Sequence, residues 1–136
     1  MNEQTMDSDS EIAVKAAAAR IVAAFARHDR EAYFACFAPA ATFVFHNLPH
    51  RLETREEYVR EWQRWETEEG FHVESCLSTG QRVQSFGDIA VFTHSVSTVI
   101  GTKQGKVTLN ERETIVFQSR AGQGWIAVHE HLSAVD

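Results

Sequence analysis

The feature that most constrains the fold is a change of pattern at Phe71, after which apolar and polar residues alternate with a period of two. This alternation is typical of β-strands, whose successive side chains point to opposite faces of a sheet. Glycine-containing breaks divide this part of the chain into long runs, which predicts an antiparallel meander. The predicted strands are Phe71 to Ser85, Ile89 to Thr102, Lys106 to Ser119 and Gly124 to Ala134.

The last two runs form a predicted hairpin whose alternation assigns residues to faces. Ala121-Gly122-Gln123-Gly124 joins them, and its glycines can adopt the positive φ of a tight reversal. One face of the hairpin is apolar but also carries carboxylates, as in a sheet that lines a half-polar cavity. The residues predicted on that face are Glu111, Glu113, Ile115 and Phe117 on one run and Ile126, Val128, Glu130 and Leu132 on the other.

Helical patterns occupy the first half of the chain. Ile12 to Arg27 is rich in alanine and follows the cap-type residues Ser8 to Glu11, which predicts a long helix. Asp29 can cap a second, short helix over Ala32 to Phe37, and Pro39 is predicted to end it.

A short strand and a third helix are predicted next. Thr42 to His46 has the composition of a strand. Thr54-Arg55-Glu56-Glu57 is a capping box, which predicts a helix that begins there and ends at Gly70. This helix carries an aromatic stripe of Tyr58, Trp62 and Trp65, which either packs on a sheet or contacts a ligand.

The order of these elements, helices first and a long curved sheet after them, predicts an α+β cone with the N-terminal helices packed in an antiparallel sheet. The length of 136 residues and the 43% hydrophobic content fit a single globular domain. We expect residues 1–10 to form a flexible tail and residues 11–136 to form the domain.

Charge and composition exclude several partners. The formal net charge is −6 and the sequence has no Lys/Arg cluster, so we expect no nucleic-acid or anionic-membrane partner. No apolar run approaches the roughly 20 residues of a membrane span. The first residues lack the apolar core of a signal peptide, and Cys36 and Cys76 are predicted to be buried thiols, which together predict a cytoplasmic protein.

The hairpin also carries a family resemblance. Arg112-x-Thr114-x-Val116-Phe117, a glycine turn and Trp125-x-x-x-His129-x-His131-x-Ser133 together resemble the closing strands of the SnoaL-like branch of the NTF2-like superfamily. That superfamily includes ketosteroid isomerase and the association domains of calmodulin-dependent kinases. The resemblance extends from about Glu11 to Ser133 and implies the cone described above. It does not specify a reaction, because this scaffold hosts enzymes, ligand binders and assembly domains.

The resemblance implies that the concave face of the sheet forms a pocket containing His94, Glu113 and Glu130. A His/Glu pair there can remove a proton beside a carbonyl group and return it elsewhere. The alternative is that Glu113 pairs with an arginine and His94 is only hydrogen-bonded in the wall. Ketosteroid isomerase would have an aspartate base near Phe45 to Asn47, where this chain offers only His46. His94, Glu113 and His46 are therefore the candidate catalytic residues.

The resemblance also implies the character of the ligand. Where the association domains have arginines, this chain has Val96, Ile115 and Leu132, so the pocket is expected to take an uncharged or weakly polar molecule rather than an anion. The expected homodimer packs through the convex face that carries His129 and His131. The residues predicted to contact the ligand are Tyr58, Trp62, Phe34, Glu111, Ile115 and Glu130.

Neither a metal nor another cofactor is predicted. His129 and His131 share a strand face, but no suitably spaced cysteine or aspartate completes a metal site with them or with His46 and His50. The glycines from Gly101 to Gly105 separate two strands and have no phosphate-binding sequel. Two functional hypotheses remain: proton-transfer chemistry of the isomerase or cyclase kind on a small molecule, or a non-enzymatic domain for ligand binding or assembly.

Overall fold

A computed structural model gives the fold of residues 3–135. Two helices precede the first, short strand, and a third helix and a π-helical turn follow it. Four long strands then complete the described part of the chain. The helical elements are α1 (Glu3–Ala26), α2 (Arg30–Ala35), α3 (Arg55–Arg64) and the π-helical turn (Trp65–Glu69). The strands are β1 (Phe37–Phe45), β2 (His72–Phe86), β3 (Ile89–Thr102), β4 (Gly105–Arg120) and β5 (Gly124–Ala134).

The strands form one curved, open sheet in the order β1-β5-β4-β3-β2. The predicted meander is confirmed, because β2 to β5 pair antiparallel with their neighbours in sequence. The prediction of a wholly antiparallel sheet is wrong at one edge, where β1 pairs parallel with β5. Helix α3, the π-helical turn and strands β2 to β4 lie between β1 and β5 in the sequence. This connection is long enough for the crossover that parallel pairing requires. The α+β, NTF2-like cone is otherwise as predicted.

A β-bulge in β5 corrects the predicted faces of the last strand. The register between β4 and β5 shifts so that Val116 pairs with His129 but Phe117 pairs with Ala127, leaving Val128 as the extra residue. An extra residue reverses the alternation on one side of the bulge. Ala127 and Glu130 are therefore both buried, whereas Val128, predicted to share the face of Glu130, is only half-buried.

The N-terminal elements differ from the prediction mainly at their boundaries. Helix α1 begins at Glu3 rather than Ile12, since no glycine or proline interrupts residues 3–11. Most of the predicted tail is therefore helical, its mobility in solution stays a prediction, and residues 1 and 2 lie outside the described residues. Helix α2 ends before Phe37, and Pro39 lies in the edge strand β1, where a missing N–H is tolerated.

The predicted caps of α2 and α3 are confirmed, whereas Ser8 to Glu11, the cap-type residues predicted to precede the first helix, lie within α1. The Asp29 side chain accepts a hydrogen bond from the backbone N–H of Ala32, and Oγ1 of Thr54 accepts one from the N–H of Glu57 at 3.1 Å. The helical segment that begins at Thr54 ends at Gly70, whose φ of 69° is the left-handed conformation common after a helix. These caps fix where α3 and the π-helical turn cross the open end of the sheet.

The core between helices and sheet is largely aromatic. Its rings pack edge to face or tilted, with centroids 4.7 Å apart for Phe43 and Tyr58 and 5.0 Å apart for Trp62 and Phe71. The largest side chains with almost no exposed surface are Trp62, Tyr33, Phe37, Phe43, Phe92 and Phe117. These side chains belong to one core cluster between the helices and the sheet, and the open space described below lies beside it.

Candidate functional site

A cavity of two chambers lies between the helices and the concave face of the sheet. The inner chamber has a volume of about 50 Å³ and the outer chamber about 240 Å³. The residues that line both chambers, and so make them one cavity, are Phe25, Tyr58, Ile100, Glu111 and Leu132. The inner chamber is also lined by Ile21, Val22, Tyr33, Cys76, Val96, Thr98, Glu113 and Glu130. The outer chamber adds Phe45, His46, Asn47, Trp65, Glu69, Phe71, Thr102, Val107 and Leu109.

Glu113 and His94 form a buried pair beside the inner chamber. They are direct cross-strand partners on β4 and β3, and Nε2 of His94 lies 2.6 Å from Oε1 of Glu113. Glu113 is 7% exposed and lines the chamber, whereas the His94 side chain is fully buried behind it. The alternative that Glu113 pairs with an arginine is wrong, because the side chain that meets its carboxyl group is His94, and no arginine of residues 3–135 forms an ion pair with it.

The other ring nitrogen of His94 bonds to strand β2. Nδ1 of His94 lies 2.6 Å from Oγ of Ser78, and the amide of Gln81 donates to the same Oγ at 2.9 Å. A hydroxyl oxygen that accepts from Gln81 is left to donate its own proton to Nδ1. Nε2 is then the protonated nitrogen of the neutral imidazole, and it donates to Glu113.

Glu130 joins this pair to two tyrosines of the helices. It is 2% exposed, and its Oε1 accepts a hydrogen bond of 3.1 Å from the Tyr33 hydroxyl. The Tyr33 and Tyr58 hydroxyl oxygens are 3.0 Å apart. Glu130 also hydrogen-bonds Glu113 through its side chain. A continuous polar chain therefore runs from Ser78 through His94, the two carboxyl groups and Tyr33 to Tyr58.

The environment determines which carboxyl group holds a proton. Burial raises the pKa of Glu130 well above its ordinary value, and the adjacent Glu113 charge and hydrogen bond raise it further. Burial also raises the pKa of Glu113, although the hydrogen bond from Glu130 opposes that shift. Two carboxyl groups in contact cannot both ionise readily, so the charge of one raises the pKa of the other, and the upward shift is the stronger at Glu130.

Burial shifts the other titratable members of the chain towards their neutral forms. It lowers the pKa of His94 to about 4, so the imidazole is neutral at physiological pH. It raises the pKa values of Tyr33 and Tyr58 well above 10, with Glu130 as the largest charge contribution to both. Glu113 is therefore the one member of the chain that can act as a base near neutral pH.

A second imidazole–carboxylate pair lies in the outer chamber. Nε2 of His46, at the end of β1, is 2.5 Å from Oε2 of Glu111. Glu111 lies two residues before Glu113 on the same face of β4, so the two pairs occupy successive depths of one cavity. The His46 side chain is 33% exposed, which leaves it open to a ligand and to water.

The structure divides the predicted ligand contacts into two groups. Tyr58, Glu111 and Glu130 line the cavity as predicted. The cavity lining does not include Trp62, Phe34 or Ile115, because these side chains are packed into the core that closes the cone. The ring N–H of Trp62 donates to Glu66 at 3.0 Å, which explains how a buried indole is satisfied without a ligand.

Tyr33 and Ser78 belong to the site but were not among the predicted site residues. Tyr33 lies close to phenylalanines in the sequence, which indicated only that it is buried. A buried tyrosine hydroxyl needs a hydrogen-bond partner, and this need was the only sequence signal that Tyr33 belongs to a polar site. Ser78 carries no signal, because its contact with His94 depends on the pairing of β2 with β3.

The remaining histidines and cysteines have structural surroundings. Nδ1 of His129 lies 2.8 Å from Oγ1 of Thr42, and burial lowers the pKa of His129. Within residues 3–135, no three His, Cys, Asp or Glu side chains come close enough to hold a metal ion. Cys36 and Cys76 are free and only half-buried rather than fully buried as predicted, and burial raises the pKa of Cys76 to about 11.

No helix within the described range is long and apolar enough to cross a membrane.

Comparison with solved structures shows which proteins share this cone. A protein of unknown function from Mycobacterium tuberculosis superposes with a TM-score of 0.79 at 17% identity, over 99% of this chain and 77% of its own. A candidate dehydratase of the NTF2-like family from Streptomyces avermitilis gives 0.77 at 23% identity, over 96% and 98% of the two chains. The CaMKII hub of S. rosetta gives 0.73 at 22% identity, over 90% and 95%.

Sequence comparison identifies the family. None of the curated proteins compared with the chain matches it. The model of the SnoaL-like domain matches residues 14–136, which include α2, all five strands, most of α1 and every residue of the cavity described above. The chain therefore belongs to the SnoaL-like family, and it shares its fold with NTF2-like proteins.

Proposed function

We propose that the protein binds a small, uncharged or weakly polar carbonyl compound in its cavity and catalyses a proton transfer on it, of the isomerase or dehydratase kind. The observation that carries this proposal is the Glu113–Glu130 pair, two buried carboxyl groups in the wall of an apolar chamber, where burial raises the pKa of both. Such a pair places a base and an acid side by side, at a pH where isolated carboxyl groups would both be ionised.

The roles follow from position. Glu113 lines the inner chamber and would be the base that removes a proton beside the carbonyl group. Tyr58 lines both chambers, and its one hydroxyl proton, which it donates to Tyr33, would have to turn to the carbonyl oxygen to stabilise negative charge that develops there. His94 would be a positioning residue, because it touches Glu113 and not the cavity. His46, held by Glu111, would exchange a proton with the part of the ligand in the outer chamber.

The lining also supports the proposed ligand class. The described lining of both chambers includes no lysine or arginine, so a buried anion would find no counter-charge there. Val96 and Leu132 line the inner chamber where the family resemblance implied positions of arginines in the association domains. A volume of about 240 Å³ in the outer chamber suits a body of one or two fused rings.

The test is hydrogen exchange into candidate ligands, which needs no knowledge of the natural substrate. 2-Tetralone, a β,γ-unsaturated steroid ketone and an aromatic polyketide are incubated with the protein in D₂O, and loss of the proton beside the carbonyl group is followed by NMR. We expect Glu113→Gln to lower the exchange rate by a factor of about 100 or more. Glu53→Gln, at an exposed carboxylate, should leave the rate unchanged.

Two results of this experiment would contradict the proposed catalysis or the proposed base. Exchange at the buffer rate for every ketone, with wild-type protein that is folded, would remove the proton-transfer proposal. An exchange rate that Glu113→Gln leaves intact would assign the base elsewhere, and His46→Gln then tests the other pair.

The second candidate function is non-enzymatic ligand binding or assembly. The observation that favours it is the similarity to the CaMKII hub over 90% of this chain, together with the outward-facing side of the sheet that carries His131 and Ser133. A homodimer through that face, in the cytoplasm and without a cofactor, is part of our proposal on sequence grounds. Light scattering of the purified protein tests it: a dimer supports the assembly interface, and a monomer at high micromolar concentration opposes it.

A further inference from the structure

The polar chain of the inner chamber does not stop at His94 but continues to the edge of the sheet. Ser78 lies on β2, the last strand of the sheet, and is half-buried, while its partner Gln81 is exposed. The contacts are 2.9 Å from Gln81 to Ser78, 2.6 Å from Ser78 to His94 and 2.6 Å from His94 to Glu113. Each of these distances is within hydrogen-bond range, so water and Glu113 are linked without a gap.

A bulge in β2 makes this link possible. The register between β2 and β3 shifts between Thr79 and Arg82, where Gly80 has a φ of 63°. Bulges re-aim side chains, and here the side chain of Gln81 reaches back to Ser78. The Gln81 amide donates to Oγ of Ser78, and this orients the Ser78 hydroxyl proton towards Nδ1 of His94.

We propose that Ser78 and His94 form a proton route that connects Glu113 with bulk water at the β2 edge, separate from the opening through which a ligand enters. The Ser78 hydroxyl proton passes to Nδ1 of His94, the Nε2 proton passes to Glu113, and water replaces the proton on Ser78. One proton leaves the solvent and one arrives at Glu113. The forward sequence leaves the one imidazole proton of His94 on Nδ1, and the reverse sequence passes the Glu113 proton to Nε2 and the Nδ1 proton to Ser78, which restores both the tautomer and the ionised Glu113.

The burial of His94 supports a separate route. Its side chain is fully buried and lines neither chamber, so water in the cavity reaches it only past Glu113. Burial keeps the imidazole neutral, and a neutral imidazole can accept a proton at one nitrogen while it releases one from the other. A ligand that fills the cavity would thus leave Glu113 in contact with the solvent through β2. This inference deepens the proposed function and rests on its assignment of Glu113 as the base.

The route can be tested in the ligand-free protein by measuring how fast the ring N–H of His94 exchanges with water, using ¹⁵N-histidine labelling and NMR. We expect Ser78→Ala to slow this exchange at least tenfold and Ser78→Thr, which keeps the hydroxyl, to restore it to within about twofold. The control is Ser95→Ala, next to His94 in sequence but exposed on the outer face. The ring N–H of His28, which bonds Glu66, is the internal reference.

The outcomes separate the two proposals. Unchanged His94 exchange in Ser78→Ala would overturn the route, whatever the activity assays show. If Ser78→Ala does not fold, Ser78→Gly takes its place, because it also removes the hydroxyl, and an exchange rate equal to that of the wild type again overturns the route. Slowed exchange in a protein that exchanges no ketone protons would support the route as a property of the buried chain while refuting the proposed reaction.

Discussion

Replacement of Glu130 by glutamine should make the stability of the protein less dependent on pH. The side chain is 2% exposed and holds a proton at pH values where an exposed carboxyl group is ionised, since burial and Glu113 raise its pKa well above 4.5. Glutamine has the same shape, keeps an oxygen that can accept the Tyr33 hydrogen bond and does not titrate. The substitution therefore removes the titrating proton of residue 130 and leaves the packing of its side chain unchanged.

The sign and size of the effect follow from proton binding. Above the ordinary pKa of 4.5 the folded protein keeps the Glu130 proton and the unfolded chain releases it, so the free energy of unfolding falls as pH rises towards the raised pKa. One proton corresponds to about 1.4 kcal/mol per pH unit. His94 has the opposite effect only between about 4 and 6.5, because its pKa is lowered in the folded state. The clean window for Glu130 therefore begins at pH 6.5.

Urea unfolding followed by tryptophan fluorescence, at pH 6.5 and 8 and constant ionic strength, measures the effect. We expect the stability of Glu130→Gln relative to wild type to increase between these two pH values, and one proton limits that increase to about 2 kcal/mol. Glu53→Gln, at an exposed carboxylate, should show no such change. A difference between Glu130→Gln and wild type that is the same at both pH values would mean that Glu130 is ionised in the folded protein. The assignment of a raised pKa to Glu130 would then be wrong.

Two further predictions concern elements that position the site. Thr54→Ala removes the oxygen that accepts the N–H of Glu57 and should cost about 1 kcal/mol of stability in urea unfolding, whereas Thr54→Ser should cost less than half of that. Trp62→Phe should cost about 2 kcal/mol, because it leaves a void and removes the donor to Glu66. Since Trp62 does not line the cavity, the thermal shift that a bound ketone produces should be the same in this variant, and a lost shift would return Trp62 to the ligand site.

The fold could be predicted from local rules because they agree with one another over most of the chain. Alternation located β2 to β5 almost to the residue, and Asp29, Thr54 and Gly70 marked helix ends by their own chemistry. Alternation assigned His94 and Glu113 each to one face of its strand, the family resemblance implied that this face is the concave one, and the two residues meet there as a cross-strand pair. The parallel pairing of β1 with β5 could not be predicted in this way, because no local pattern specifies which distant strand pairs with an edge.

The polar chain itself was only partly predictable. His94, Glu113 and Glu130 were expected in one cavity on the basis of their residue types and the family resemblance. Their order in the chain, with His94 behind Glu113 and away from the ligand, depends on the depth of each side chain in the cone. Depth is a property of how helices and sheet pack, which alternation along a single strand does not report. For the same reason, the aromatic stripe of α3 looked uniform in sequence although Trp62 is in the core and Tyr58 lines the cavity.

Two of the positions where the strand register shifts are positions that complete the site. The bulge at Val128 allows Ala127 to be buried, with its N–H donating to the Cys36 carbonyl oxygen at 3.1 Å, while Glu130 still faces the cavity. Strict alternation would have forced Ala127 and Glu130 onto opposite faces, because they are three residues apart. The bulge in β2 similarly brings Gln81 to Ser78 at the other end of the chain. A bulge leaves a residue unpaired and disrupts the hydrogen-bond ladder, which costs stability that another interaction has to offset. Here the bulges allow a polar chain that is hydrogen-bonded from the sheet edge to Tyr58. A regular sheet of the same sequence would interrupt this chain at Glu130.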